Sequence, residues 1–520
     1  MLKYRLTAVS LHRLMNLITD FNNLLKLMHR ANKRPWKRAV GLLCLLFQQS
    51  PMLLALPSPL PELGSAASFS LSIEQERLCG ELVIRKLRGQ KQLLHDPLLD
   101  NYLAGLGQRL RLHAGSLQYP LQFYWLPRSD INAFALVGGY LMVYTSLLQV
   151  TECEDELAAV LAHEIVHIMQ RHTARMITAQ KAVQPLAWAA VIGSVMLALT
   201  NPMAGMAAFS ATLGGVQQQA LIYSQAHEAE ADRIGINLLV QAGFDPQAMP
   251  NFLVKLAQGT CHAGQVPEIL LTHPLPQRRI AEARGRAYQQ KQVRRSRPSL
   301  EYFLAKIRYQ QLYAGKASET QLAIPLSSAL LSALDDSSQA LLQGYHQALQ
   351  CYRQRNYEVG RKQLRPLLQS YPDNIWLLDA LTEIDLAQRR HHSAVQRLLK
   401  ALQRQPEQPI LLLNLANVYL QQGENTEVIR LLRPYCHCHP HSSLGWHLLA
   451  QAYAGCRLLA DEQAAQAEWL ALQGEFKAAQ QALRRAHQAA SQQPLQQERY
   501  QVRLEQLQQY QHILEQAKNL

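Results

Sequence analysis

The chain has 520 residues, of which 48% are hydrophobic and 17% charged. That balance excludes a disordered or low-complexity polymer and gives length for two to four domains. The formal charge is +14, but residues 1–55 carry nine Lys/Arg against one Asp, which leaves only +6 on the rest. No nucleic-acid signature accompanies the charge, so it reads as a targeting segment with weak attraction to acidic surfaces or partners.

The targeting segment has a recognisable order. Lys33-Arg34-Pro-Trp-Lys37-Arg38 precedes the apolar run Ala39–Phe47, and small or turn residues follow from Ala55 to Ser58. Basic, apolar, then cleavable is the secretory pattern, and the apolar run is too short to span a bilayer. A start at Met28 gives a signal of ordinary length. Eight cysteines occur; with Cys44 inside the signal, an odd seven remain for an oxidising compartment.

Next, Gly139-Tyr140-Leu141-Met142-Val143-Tyr144 is rich in β-formers and follows a Gly-Gly turn, which predicts a strand. The residues alone leave open whether it is a core strand or an edge that pairs with extended peptide. The run Glu156–Ala162 is a strong helix former behind an acidic first turn. It leads into His163-Glu164-Ile165-Val166-His167. Positions i and i+4 share a helix face, so both imidazoles reach one ion, with Glu164 beside them. A divalent metal and an adjacent carboxylate together activate water, as in metal-dependent peptidases. Gln170 and Thr173 stand where a longer zinc-protease pattern would need Gly and His, so that version fails. His172 comes five residues after His167 and, on a continuous helix, falls on another side, as a structural or surface residue.

Pro185–Leu199 is nearly free of polar groups, Asn201-Pro202 breaks it, and Met203–Val216 is again apolar and small. The length is marginal for spanning. The Ala and Gly content and early turn predict a helical hairpin over 185–216, packed on the catalytic domain or touching a membrane surface. The best candidate for a third metal ligand lies in Glu228-Ala-Glu230-Ala-Asp232, which by itself also reads as a solvated acidic face. Glu228 and Asp232 are again i and i+4: Glu228 fits the ligand role, and Asp232 the carboxylate that orients an imidazole. Glu230 points elsewhere.

The C-terminal third is a repeat. Pro372, Pro406 and Pro440 are spaced by 34 residues, as are Leu364, Leu398 and Leu432; Ala416 with Ala450 and Tyr419 with Tyr453 keep the same step. That period marks tetratricopeptide repeats, about four of them from Tyr345 to Leu483, with a closing helix beyond. Stacked helix pairs of this kind present a concave surface to peptides or partner proteins. Cys436-His-Cys-His-Pro-His441 lacks a second ligand pair at zinc spacing and reads as a repeat-junction loop.

These residues resemble the HtpX-like and prenyl-protease-like zinc peptidases, and more nearly their periplasmic, repeat-bearing type that enhances β-barrel assembly. The resembling stretches include Asp130–Gly139, Ala162–His167, Gln170–His172, Glu230–Gly235, Gly243–Pro250 and Pro267–Pro276. The resemblance implies one zinc per chain, held by His163, His167 and Glu228, with Glu164 as general base and Asp232 as auxiliary acid or orienting group. It implies that His273 takes the fourth zinc position and silences the enzyme until displaced, with Arg279 holding that loop. It implies that Gly139 to Val143 form an edge strand for substrate.

The expected fold is an α+β zincin-like metallopeptidase domain over 60–285, a helical junction over 286–340 and an all-α tetratricopeptide-repeat solenoid over 341–520. The expected function is a periplasmic zinc endopeptidase, peripheral at the outer membrane. It would degrade misassembled outer-membrane β-barrel proteins and assist their assembly machinery through the repeats. The alternative is an assembly chaperone or adaptor whose zinc site is mostly latent.

Overall fold

Ser72 and Asp96 begin the first two helices by filling their open ends. At α1 (Ile73–Gly89), the Ser72 side chain accepts from the Gln75 N–H at 3.2 Å and the Gln75 side chain accepts from the Ser72 N–H at 3.0 Å. At α2 (Pro97–Arg111), the Asp96 carboxylate accepts from the N–H groups of Leu98 and Leu99, and Pro97 needs no partner. The computed structural model describes residues 72–179, 217–263, 268–275, 277–290, 298–314 and 333–519, together with Gly193, Leu197 and Ala204. The targeting segment and all but those three residues of the 185–216 stretch lie outside the described residues. Among the described residues no helix is long and apolar enough to cross a membrane.

Three short strands follow: β1 (Gln122–Leu126), β2 (Ala133–Leu136) and β3 (Tyr140–Tyr144). Their order is β1-β3-β2, with β1 parallel and β2 antiparallel to β3. All five residues of β3 are buried, which explains why Tyr-Leu-Met-Val-Tyr shows no polar alternation. This corrects the expectation for Gly139 to Val143. Gly139 is in the turn, and Tyr140, Leu141, Met142 and Val143 lie in the middle strand, whose backbone edges pair with β1 and β2. Among the described strands, the outer edges belong to β1 and β2. The turn itself runs through Gly138 and Gly139 at φ 83° and 92°, a region that only glycine adopts cheaply.

After a single turn, α3 (Leu147–Val150), comes α4 (Glu154–Met169), whose first turn carries Glu154, Asp155 and Glu156. Negative charge there complements the helix dipole. Leu157 to Val166 are all buried, and Leu157 to Ala162 with Ile165 belong to the main core, which fixes α4 in place. It stops where Arg171 turns left-handed, at φ 48°, and α5 (His172–Ala179) starts afresh. Glu76 of α1 anchors that break by accepting from Arg171 Nε at 3.1 Å. The long helix α6 (Gln217–Gln241) packs along α4. Around this pair lie α7 (Ala248–Ala263), α8 (Glu268–Thr272) and α9 (Gln277–Gln289).

The buried helix α10 (Leu300–Leu312) packs on α2 and α3 on one side and on the first repeat helix on the other. The repeats are antiparallel pairs: α11/α12 (Asp336–Arg353, Tyr357–Ser370), α13/α14 (Ile375–Ala387, His391–Arg404), α15/α16 (Pro409–Gln422, Asn425–Cys438) and α17/α18 (Ser443–Gly455, Leu459–Leu472). From α13 onward, successive pairs start 34 residues apart. α19 (Phe476–Ala489) is closed by the long α20 (Pro494–Asn519). Cys436 is buried at the end of α16 while Cys438 is exposed; both are free thiols.

Residues 66–520 make one compact unit, and two contacts explain why. At the near end, Arg308 of α10 donates to Asp96 and to Asp379 of α13, each at 2.7 Å. At the far end, α18 stops against α1: Arg85 and Arg88 donate to the carbonyls of Ala471 and Leu472 in its last turn. Arg85 also covers the rings of Phe476 and Tyr510, and the Tyr510 hydroxyl donates to Glu81. Between α2, α10 and the repeat helices lies a cavity of about 420 Å³, lined in part by Asp96, Arg308, Asp379, Glu383 and Asn414.

Candidate metal centre

The buried face of α4 supplies His163, Glu164 and His167, one turn apart, and α6 supplies Glu228 and Asp232. His273 reaches the same place from the end of α8. One ligand atom from each of His163, His167, Glu228 and His273 lies within 4.8 Å of the other three, the one such group found among the described residues. His163 Nε2 is 3.0 Å from His167 Nε2 and 3.2 Å from Glu228 Oε2, and His167 Nε2 is 3.4 Å from Glu228 Oε1. Bonds of about 2.0–2.2 Å to a tetrahedral zinc place donor atoms roughly 3.3–3.6 Å apart. The spacing, and the mixture of imidazole and carboxylate, fit such an ion.

Electrostatics point the same way. Burial disfavours charge on His163, yet Glu228 and Asp232 outweigh it and push its pKa up to about 10. The field at the centre therefore favours a positive charge among these side chains. Burial likewise opposes the charge on Glu228, and the imidazoles of His273 and His163 overcome it, holding its pKa well below the carboxylate range. Glu164 is 2% exposed, and its Oε2 has no hydrogen-bond partner. A buried, unpartnered carboxylate oxygen near the converging donors has the chemistry to accept a proton.

Asp232 and Arg279 surround this core. Asp232 Oδ1 lies 3.0 Å from His163 Nδ1. Arg279, in α9, spans the site: Nε donates to Asp232 Oδ2 at 2.7 Å, Nη1 lies 2.9 Å from Glu228 Oε2, and Nη1 also donates to the Pro274 carbonyl at 2.8 Å. One guanidinium thus ties both α6 carboxylates to the loop that follows His273. His273 itself approaches with Nδ1 3.0 Å from Glu228 Oε1 and Nε2 3.5 Å from Glu164 Oε1. Its segment is held against the sheet, where Ile269 N–H donates to Ile131 C=O at 3.0 Å and Asn132 and Tyr144 both donate to Glu268.

Two further residues lie behind the ligands: His172, structural but on the same side as His167, and Glu230, which points away from the ligand atoms as its place on the helix predicts. His172 is 2% exposed and lies with Nδ1 3.0 Å from His167 Nδ1. The left-handed step at Arg171 ends the continuous helix on which it was placed and swings it back behind the ligand. Glu230, one turn from neither ligand position, receives His172 Nε2 at 3.1 Å and Arg175 at 3.1 Å. The only hint in the sequence was that His172 belongs to the resembling stretch Gln170–His172. The outer edge of β2 was also missed, because strand order is invisible in a single strand's composition.

Comparison with known proteins identifies the family. The family model described as Peptidase family M48 matches residues 97–287, and one described as Tetratricopeptide repeat matches 385–452. The chain is 42% identical to the beta-barrel assembly-enhancing protease of Yersinia pestis, over 86% of this chain and 91% of that protein. It is also 42% identical to the protein of the same name from Escherichia coli K12, over 87% and 92%. A mitochondrial metalloendopeptidase of Schizosaccharomyces pombe is 34% identical over 29% of this chain and 41% of its own length.

Proposed function

Since the chain belongs to the beta-barrel assembly-enhancing proteases, metalloproteases of Peptidase family M48, we propose that it is a zinc endopeptidase of the periplasm. It degrades outer-membrane β-barrel proteins that stall in assembly, and its repeats bring it to them and to their assembly machinery. The observation that carries this reading is the convergence of His163, His167, Glu228 and His273, with the buried Glu164 carboxylate 3.5 Å from His273 Nε2.

Zinc bound there supplies Lewis acidity that polarises a peptide carbonyl and acidifies water. The chain supplies the rest. Glu164 takes the proton of the attacking water at Oε2 and passes it to the leaving amine. Asp232 accepts from His163 Nδ1–H and so keeps Nε2 turned toward the ion. Arg279 balances the two carboxylates of α6 and holds the loop at Pro274. Substrate adds as a strand along the outer edge of β2, Ala133 to Leu136, which packs against α4; main-chain hydrogen bonds there tolerate many side chains. His273 fills the position that substrate and water need, with Arg279 as its latch, and must leave before turnover.

That last contact favours a second reading, an assembly chaperone or adaptor whose site stays mostly closed. Glu164→Gln separates the two. Under the first reading the variant keeps its zinc, loses casein cleavage by about 10²–10⁴-fold, and no longer restores barrel assembly in cells lacking the protein. Restored assembly by the inactive variant favours the second. Zinc-free purified protein that cleaves casein undiminished in a chelator refutes both.

A further inference from the structure

The two histidines of α4 are held from behind by different groups. His163 turns its Nδ1 to a carboxylate, Asp232. His167 turns its Nδ1 to another imidazole nitrogen, His172 Nδ1, at 3.0 Å. Two ring nitrogens at that distance share one proton, so one donates and the other accepts. A His167 that offers Nε2 to an ion carries its proton on Nδ1. His172 Nδ1 is then the acceptor, and the proton of His172 sits on Nε2. There, Glu230 Oε2 waits at 3.1 Å, itself receiving Arg175 Nη1 at 3.1 Å. Every link from Arg175 through Glu230 and His172 to His167 has one donor and one acceptor, so each proton position is forced by the next. The His172 ring stacks on His227, with centroids 4.3 Å apart and planes 13° apart, and meets His167 edge-on.

We propose that His172 is a positioning residue of the metal centre: it accepts the Nδ1–H of His167, fixing that ligand's tautomer and ring angle, and Glu230 fixes His172 in turn. Both nitrogens of His172 are engaged, which leaves it none to offer a metal. A neutral imidazole polarises the ligand less than a carboxylate does, so its effect falls on orientation more than on basicity. The proposal rests on the reading that His163, His167 and Glu228 hold zinc.

The test is zinc retention by the full-length protein in competition with a chromophoric chelator, with the melting of metal-stripped protein as the control for folding. His172→Leu lowers zinc affinity by about 10–100-fold. His172→Asn, whose Oδ1 takes the place of Nδ1 and can only accept there, stays within about threefold of wild type, a small fraction of that loss. Glu230→Ala leaves both rings packed and loses affinity by a smaller factor. The proposal is overturned if His172→Leu holds zinc like wild type, or if His172→Asn is as weak as His172→Leu. Undiminished affinity in Glu230→Ala overturns the relay even where the Leu variant does not fold. Wild-type protein that binds no zinc would instead refute the metal reading, so the two failures are distinct.

Discussion

His273 and Glu383 are single side chains whose surroundings set the direction of a measurable change. His273 is a fourth donor drawn up to three others, where a catalytic site needs an open position. His273→Ala is expected to cleave casein faster than wild type and to degrade itself during purification, with chelator abolishing both. Equal or slower cleavage removes the latch. Glu383 lines the cavity beneath the repeats, where burial and, after it, the neighbouring Asp379 push its pKa from 4.5 up to about 7. A carboxyl raised in this way holds its proton more tightly folded than unfolded. Its contribution to stability is full below about pH 4.5 and lost as pH rises through 7. Glu383→Gln does not titrate, so it should exceed wild type by about 1–3 kcal/mol at pH 8, with the difference shrinking toward pH 5. Denaturant melts at both pH values check this; a difference independent of pH contradicts it.

At the scale of elements, α1 is seated against the β2–β3 turn through Gly80. A methyl group there would lie 2.2 Å from the Val137 carbonyl oxygen and 2.4 Å from Tyr140 Cδ2. Replacing a helical glycine by alanine ordinarily gains about 0.5–1 kcal/mol, whereas forcing a methyl into a filled contact costs about 1–3 kcal/mol. The second effect wins, so Gly80→Ala should lower stability. Gly105, exposed in α2, has nothing within 4 Å of its would-be methyl. Gly105→Ala should therefore raise stability by about 0.5–1 kcal/mol. The same sign in both variants would mean that α1 is not seated on the turn as described. The 34-residue period of the repeats was legible because packing on both neighbours forces successive pairs to keep one step. Strand order was not legible: β3 has the composition of any buried strand, and its central place follows from what β1 and β2 do.

At the scale of the whole molecule, Arg308 joins the two halves. Its guanidinium joins Asp96, which caps α2 of the catalytic half, to Asp379 in the second repeat, while Asn414 donates to Asp379 at 2.9 Å. All three ionic groups are buried. Such a bridge is a weak source of stability when intact, but removing one partner strands the others. Arg308→Met should lower the unfolding free energy by about 3–5 kcal/mol, and adding Asp379→Asn should recover part of it. An unchanged denaturation midpoint would show that the halves hold together without this bridge. With Arg85 and Arg88 capping α18 at the other end, the repeats are fastened to the catalytic half twice.

Local patterns were sufficient for whatever a short span of chain can settle. The i, i+4 pairs His163/His167 and Glu228/Asp232 and the 34-residue step follow from helix geometry and repetition, which are properties of neighbours in sequence. Folding was needed for whatever joins distant segments. It put Arg279 between Glu228 and Asp232, turned His172 and Glu230 inward behind His167, and left β2 rather than β3 at the edge of the sheet. The reason is physical: a side chain's partners far along the chain depend on how whole helices and strands pack, and a break of one residue, the left-handed Arg171, is enough to bring His172 back against His167.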